Sequence, residues 1–190
     1  MTNYFFRLYF LTGFLISLAS ILLALYFQYF LDQTPCALCV LQRIGIVGAG
    51  IFYLLFLIIN PRKIFLIKIF GLILLIFTGF GFYIAAKQIY LQHLPLGQAP
   101  ACGPGVNYLF QALPLKDFFL ALFQGDGDCA KISWSFLGLS LAEYSAGVFL
   151  LLSLFNIDLL SAGFFSRFFS RFFYRFFYRF YLNQIKKFFK

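Results

Sequence analysis

The sequence predicts an all-α membrane protein, a four-transmembrane-helix bundle with two outward loops and a basic, Phe-rich C-terminal tail. Three observations predict it. The chain of 190 residues is 63% hydrophobic and only 11% charged, where a soluble domain carries roughly 25% charge. Four apolar runs approach the ~20 residues that a helix needs to cross the hydrocarbon core. Most basic residues gather on one side of those runs.

The first run, Leu8–Leu31, holds no charge. It is too long for the core of a signal peptide and lacks an A-x-A cleavage site, so it reads as a retained helix. The second, Ile44–Ile59, is short, and Val40 and Leu41 extend it outward to a span of about 40–59. The third, Ile64–Ala86, has one Lys near its start, and the fourth, about 144–165, is interrupted only by Asp158. The membrane domain therefore covers about 8–162, and 163–190 form the tail.

Lys and Arg set orientation, because basic loops resist translocation. With four spans, both termini share one side with the Asn60–Lys63 turn. That side holds Arg7, Arg62, Lys63, Lys68 and the basic residues of the tail, leaving Arg43, Lys87, Lys116 and Lys131 opposite. The termini are expected in the cytoplasm and the loops of about 32–43 and 87–143 outside it, periplasmic in a bacterial inner membrane. All four cysteines fall in those loops: Cys36 and Cys39 in the short one, Cys102 and Cys129 in the long one. Thiols outside the cytoplasm tend to be oxidised, which suggests two disulfides.

The short loop reads "TPCALCVLQR", 34–43. Thr34 and Pro35 signal a helix start, with Thr as N-cap and Pro at the first helical position. Cys36 and Cys39 then lie in the first turn, where unpaired N–H groups and the positive dipole end favour a thiolate, the reactive form of cysteine. Arg43 follows Cys39 by four residues, on the same face. Its guanidinium could stabilise the Cys39 thiolate or bind an oxyanion docked nearby. A zinc site fits weakly, because Cys102 and Cys129 lack the close spacing of a second ligand pair. A structural disulfide explains Cys36–Cys39 poorly, because so small a loop gains little stability. It would explain Cys102–Cys129 better, so the long pair is structural or chemical. A dithiol at the membrane needs an acceptor that lives there. Neither nucleotide-binding nor haem motifs occur, and a lipid-soluble quinone suits the place.

These residues carry a resemblance. P-C-A-L-C-V-L-Q-R in the first loop, L-Q-H-L-P, A-C-G-P-G and L-P-L in the second, and G-D-C-A-K-I-S-W-S-F-L-G-L-S at 127–140 resemble bacterial disulfide bond formation protein B, DsbB, over roughly residues 8–162. The resemblance implies a four-helix thiol:quinone oxidoreductase of the inner membrane that reoxidises a periplasmic DsbA-like thiol oxidase and uses ubiquinone or menaquinone. Carried over by motif, Cys102 forms the mixed disulfide with the partner, Cys129 exchanges with Cys36, and Cys39 is the thiolate beside the quinone, supported by Arg43. Gln42 stands where some members have Glu. Gln88 stands about where some have His, and His93, in L-Q-H-L-P, is not assigned to the quinone. A vitamin K epoxide reductase-like enzyme runs similar chemistry, but its C-x-x-C lies late in the chain. A non-catalytic scaffold with structural disulfides is the alternative from a different class.

Around Cys102, Gly97, Pro100, Gly103, Pro104 and Gly105 predict irregular chain. Leu115–Gln124 reads as a short amphipathic helix that either lies in the interface or packs on the helix ends. Asp126 and Asp128 should disfavour a Cys129 thiolate. Trp134 and Phe136 suit either an aromatic belt or core packing. The tail repeats FFSR-FFSR-FFYR-FFYR over 164–179. On a helix each Arg drifts about 40° from the last, giving a winding aromatic face and a basic face for an anionic leaflet. A tail pinned to lipid argues against nucleic-acid binding. Asp158 lies near the cytoplasmic end and reads as a solvated acid rather than part of a proton path.

Overall fold

The computed structural model describes residues 2–59, 61, 63–95 and 106–160. Cys102 and the repeat tail lie outside them. Helix α1 covers Thr2–Phe30, α2 Ala37–Ile59, α3 Ile64–Gln92 and α7 Leu141–Leu160. All four are long and apolar enough to cross a membrane. Between α3 and α7 come three short helices, α4 Val106–Ala112, α5 Leu115–Gln124 and α6 Gly127–Ala130, and the strands β1 Ser135–Phe136 and β2 Leu139–Ser140.

The long helices form because each offers a run of apolar side chains and satisfies its backbone internally, as lipid demands. Leu22, Leu23, Ile58, Leu72, Ile76, Leu150 and Leu154 stay exposed on the outer surface of the bundle. Such a face would be a liability in water and is the expected one in hydrocarbon. Inward, Tyr53, Leu74, Ala49, Phe149 and Leu152 form the main core. Helices α3 and α7 approach closely at Gly81, where an added Cβ would lie 2.1 Å from the Phe149 ring.

Hydrophobic attraction cannot join helices within lipid, so close packing and polar contacts carry more of the association. A polar knot does this in the bundle interior. Tyr53 Oη donates to Asn156 Oδ1 at 2.8 Å, and Tyr9 Oη approaches the same oxygen at 3.4 Å. Asn156 Nδ2 donates to Thr78 Oγ1 at 3.2 Å, and Ser153 Oγ donates there at 3.1 Å. Side chains from α1, α2, α3 and α7 thus meet at one fully buried amide.

The helices begin and end elsewhere than their hydropathy suggests. Helix α2 opens at Ala37, so Thr34 and Pro35 precede it and do not cap it. Cys36 holds the cap position: its carbonyl accepts the Val40 N–H at 3.1 Å and its sulfur the Cys39 N–H at 3.4 Å. Helix α3 runs past Ala86 to Gln92, which brings Gln88 inside a helix. The strands were not foreseen from sequence. Their turn places Leu137 at φ 51° and Gly138 at φ 81°, the two positive values that suit a tight hairpin.

Helix α5 has the predicted limits, Leu115–Gln124, and packs on the helix ends. Phe118 and Leu122 are buried, whereas Leu115, Phe119, Leu120 and Phe123 are exposed. The buried pair joins Cys36, Leu38, Leu41, Ile84, Leu91 and Cys129 in a second, smaller core at the cysteine end of the bundle. Lys87 Nζ donates to the Phe123 carbonyl, tying α5 to α3. Gly125 ends α5 at φ 74°, a left-handed backbone that only glycine adopts freely.

Candidate functional site

The smaller core brings three of the four predicted cysteines together. Cys36 and Cys39 stand with sulfurs 2.8 Å apart. Cys129 is fully buried and packs in the same small core as Cys36. The start of α2 explains the gathering. The first N–H groups of any helix lack partners within it. Here the Leu38 N–H points to Cys129 Sγ at 3.5 Å, and the Cys39 N–H to Cys36 Sγ at 3.4 Å. Two orphan donors are therefore spent on sulfur, beside the positive end of a 23-residue helix. The Cys36 thiol is pushed well above the usual cysteine range by the Cys129 side chain, then by Cys39, then by burial.

Helix α6 positions Cys129. Asp126 is its N-cap, with Oδ1 accepting the Cys129 N–H at 3.2 Å. Asp128 pairs with Lys131 at 2.8 Å. The sequence suggested that both carboxylates act on the Cys129 thiol through their charge. The structure gives each one another partner, a backbone N–H and an ammonium.

Arg43 lies one turn below Cys39. Its Nη1 donates to Gln28 Oε1 and its Nη2 to the Ala24 carbonyl at 3.2 Å, both on α1. A guanidinium held at two points is fixed in direction, as a flexible ammonium would not be. Next to it opens a cavity of about 460 Å³, walled by Cys36, Cys39 and Arg43, by Ala24 and Phe27 of α1, and by Ser145 and Phe149 of α7. That volume falls in the usual range for small-molecule sites, ~300–1,000 Å³. The cavity fills the space between α1 and α7, which meet near the opposite end of the bundle through Tyr9, Phe155 and Asn156. Trp134 roofs it, with its ring 4.8 Å from that of Phe27 and 6.0 Å from that of Phe136. Trp134 thus lines the cavity, and the exposed Phe136 stacks on it from outside.

His93 is exposed, and its Nδ1 lies 2.9 Å from the carbonyl of Ile89 in its own helix. The buried place beside the sulfurs belongs to Gln88, with Nε2 at 3.4 Å from Cys39 Sγ and 3.5 Å from Cys36 Sγ. Gln42 donates to Gln88, and Ser145 donates to Gln42. In the sequence, Gln42 and Gln88 stand out only as departures from relatives, and Gln28 and Ser145 do not stand out. A signal was available. Gln28, Gln42 and Gln88 are uncharged polar residues within otherwise apolar spans, and such residues normally face the bundle interior.

Fold and site together define a multi-pass membrane protein with a buried dithiol at one end of its bundle. The profile of the family described as disulfide bond formation protein DsbB matches residues 6–158. The protein called disulfide bond formation protein B from Marinobacter nauticus is 40% identical over 73% of this chain and 82% of its own length. Namesakes from Nitrosococcus oceani, 35% identical over 80% of this chain and 89% of theirs, and Methylococcus capsulatus, 38% identical over 80% and 92%, agree with it. The chain belongs to the DsbB family, and it is a disulfide-forming oxidoreductase.

Proposed function

We propose that the protein is a thiol:quinone oxidoreductase of the bacterial inner membrane. It reoxidises a periplasmic DsbA-like dithiol oxidase and passes the electrons to ubiquinone or menaquinone. The observation that carries this reading is the shared wall. Cys39, Cys36 and the doubly held Arg43 line one cavity of about 460 Å³ between two membrane helices, where a lipid-soluble acceptor can enter.

The proposed cycle starts with Cys102 joined to Cys129, and Cys36 to Cys39. A partner thiolate attacks Cys102, and Cys129 leaves as thiolate. The partner's second thiolate then releases Cys102, and the partner departs oxidised. The Cys129 thiolate attacks Cys36 and expels Cys39 as thiolate; the burial of both residues in one small core supports this exchange. Cys102 next attacks Cys129, restoring their disulfide and freeing Cys36. Cys39 and Cys36 close their disulfide as the electron pair and two protons pass to the quinone, which supplies a two-electron acceptor. Arg43 offers a fixed positive charge to the oxygen that gains charge. Net, one partner dithiol is oxidised and one quinone becomes quinol.

Basic residues at Arg7, Lys63 and Lys68 support cytoplasmic termini and a periplasmic cysteine end. The test uses detergent-purified protein, a reduced thioredoxin-fold oxidase and a water-soluble quinone followed by absorbance. Wild type should reduce the quinone, and Cys39→Ser and Cys102→Ser should not. Inert disulfides and no reduction by wild type would overturn the proposal.

A further inference from the structure

Gln88 is only 5% exposed and Gln42 only 7%. A buried primary amide is costly in apolar surroundings unless every polar atom is used. Here three helices use them in sequence. Ser145 Oγ on α7 donates to Gln42 Oε1 on α2 at 2.8 Å, and Gln42 Nε2 donates to Gln88 Oε1 on α3 at 2.7 Å. Gln88 Nε2 ends the chain on both sulfurs of the dithiol. Direction is imposed from behind. While Gln42 presents an N–H, Gln88 must present its oxygen to Gln42 and its N–H to sulfur. The Cys39 Sγ to Gln88 Oε1 distance, 3.7 Å, is the longer of the two contacts. Ser145 Oγ also lies 2.8 Å from the Ala142 carbonyl, so its one hydroxyl hydrogen has a second acceptor, and Ser145 is the weakest link.

We propose that Gln88, oriented by Gln42 and Ser145, is the neutral donor that stabilises the Cys39 thiolate. Gln88 touches the reacting sulfur; Gln42 and Ser145 are positioning residues. The assignment rests on the reading above, in which Cys39 carries the electrons to the acceptor. It gives the sulfur two kinds of support: a charge from Arg43, one turn away, and an uncharged N–H in direct contact. An amide can hold an anion without leaving a buried cation behind when the dithiol closes to a disulfide, and a charge-assisted hydrogen bond is the stronger kind.

The test is site-resolved iodoacetamide alkylation of the fully reduced protein at pH 7, read by mass spectrometry with no quinone present. Losing one hydrogen bond to an anion costs about a tenfold fall in thiolate. The rise in intrinsic nucleophilicity returns roughly threefold of that. Gln88→Leu should therefore alkylate at Cys39 about threefold more slowly than wild type, with the Cys102 rate unchanged. Gln88→Glu, similar in shape but with no N–H to offer as a carboxylate, should fall at least as far, and Gln42→Leu should fall by a smaller factor. An unchanged Cys39 rate in Gln88→Leu overturns the assignment. If Gln88→Leu exposes the buried Cys129 to reagent, the bundle has opened, and Gln88→Glu decides in its place by the same criterion. Because no acceptor takes part, a wild type that fails to reduce quinone would refute the functional proposal while leaving this contrast readable.

Discussion

Replacing Arg43 with Met isolates the role of the guanidinium. Met keeps the apolar stem and volume near the cavity wall and removes the charge. In the wild type, Nη1 and Nη2 are held by Gln28 and the Ala24 carbonyl on α1, so the group is already oriented and needs no further ordering to meet a ligand. Hydrogen bonds to charged groups contribute about 1.5–3 kcal/mol, which corresponds to roughly 10- to 150-fold in an equilibrium or rate constant. The expected loss is therefore a 10- to 150-fold fall in kcat/KM for quinone. Arg43→Lys should recover only part of it, because a shorter point charge cannot reach Gln28 and Ala24 together. The assay is steady-state quinone reduction beside stopped-flow oxidation of the partner dithiol. Partner oxidation in a single turnover should be unchanged, since in the proposed cycle it uses Cys102 and Cys129. Unchanged kcat/KM for quinone, or an equal fall in both half-reactions, would refute the reasoning.

Asn156→Leu should lower stability by roughly 1–3 kcal/mol, because it leaves the buried Tyr53 hydroxyl without its 2.8 Å acceptor and removes the donor to Thr78; unfolding in mixed micelles by SDS titration reads it. Asp126→Ala removes the cap of α6, worth about 0.5–2 kcal/mol, so amide hydrogen exchange at Cys129 should accelerate roughly 2- to 30-fold, measured by mass spectrometry. Gly81→Leu should prevent α3 and α7 from closing over Phe149 and abolish recovery of folded protein, seen as loss of the monodisperse peak in size-exclusion chromatography.

Hydropathy made the four spans legible because lipid leaves few alternatives: about twenty apolar residues, helical throughout. The C-x-x-C and Arg43 were legible for a different reason, since sulfur and guanidinium at a helix start carry recognisable chemistry, whereas the role of Cys129 came only through the family resemblance. Local boundaries were less so. Thr34-Pro35 has the form of a helix start, but the Cys36 sulfur takes the cap position, and sulfur is not among the usual capping groups. Asp126 reads in the sequence as a charge near a thiol and in the structure is also a cap, because a carboxylate directly before a short helical turn can serve both roles. Gln88 was hidden most deeply. Its meaning depends on Gln42 and Ser145, which are distant in sequence and join it only when α2, α3 and α7 pack. Leu137 carries no turn signature, and its positive φ follows from the hairpin that Gly138 closes.

The proposed function requires that the Cys36–Cys39 dithiol itself hand electrons to quinone. The most direct test bypasses the partner. Cys102→Ser protein is reduced with a small dithiol, freed of it by gel filtration under argon, and mixed with water-soluble quinone in a single turnover. About one equivalent of quinol per protein should form, with the Cys36–Cys39 disulfide appearing at the same rate, and none when Cys39→Ser is added. Quinol formation that persists without Cys39, or a reduced dithiol that stays reduced in the presence of quinone, would contradict it.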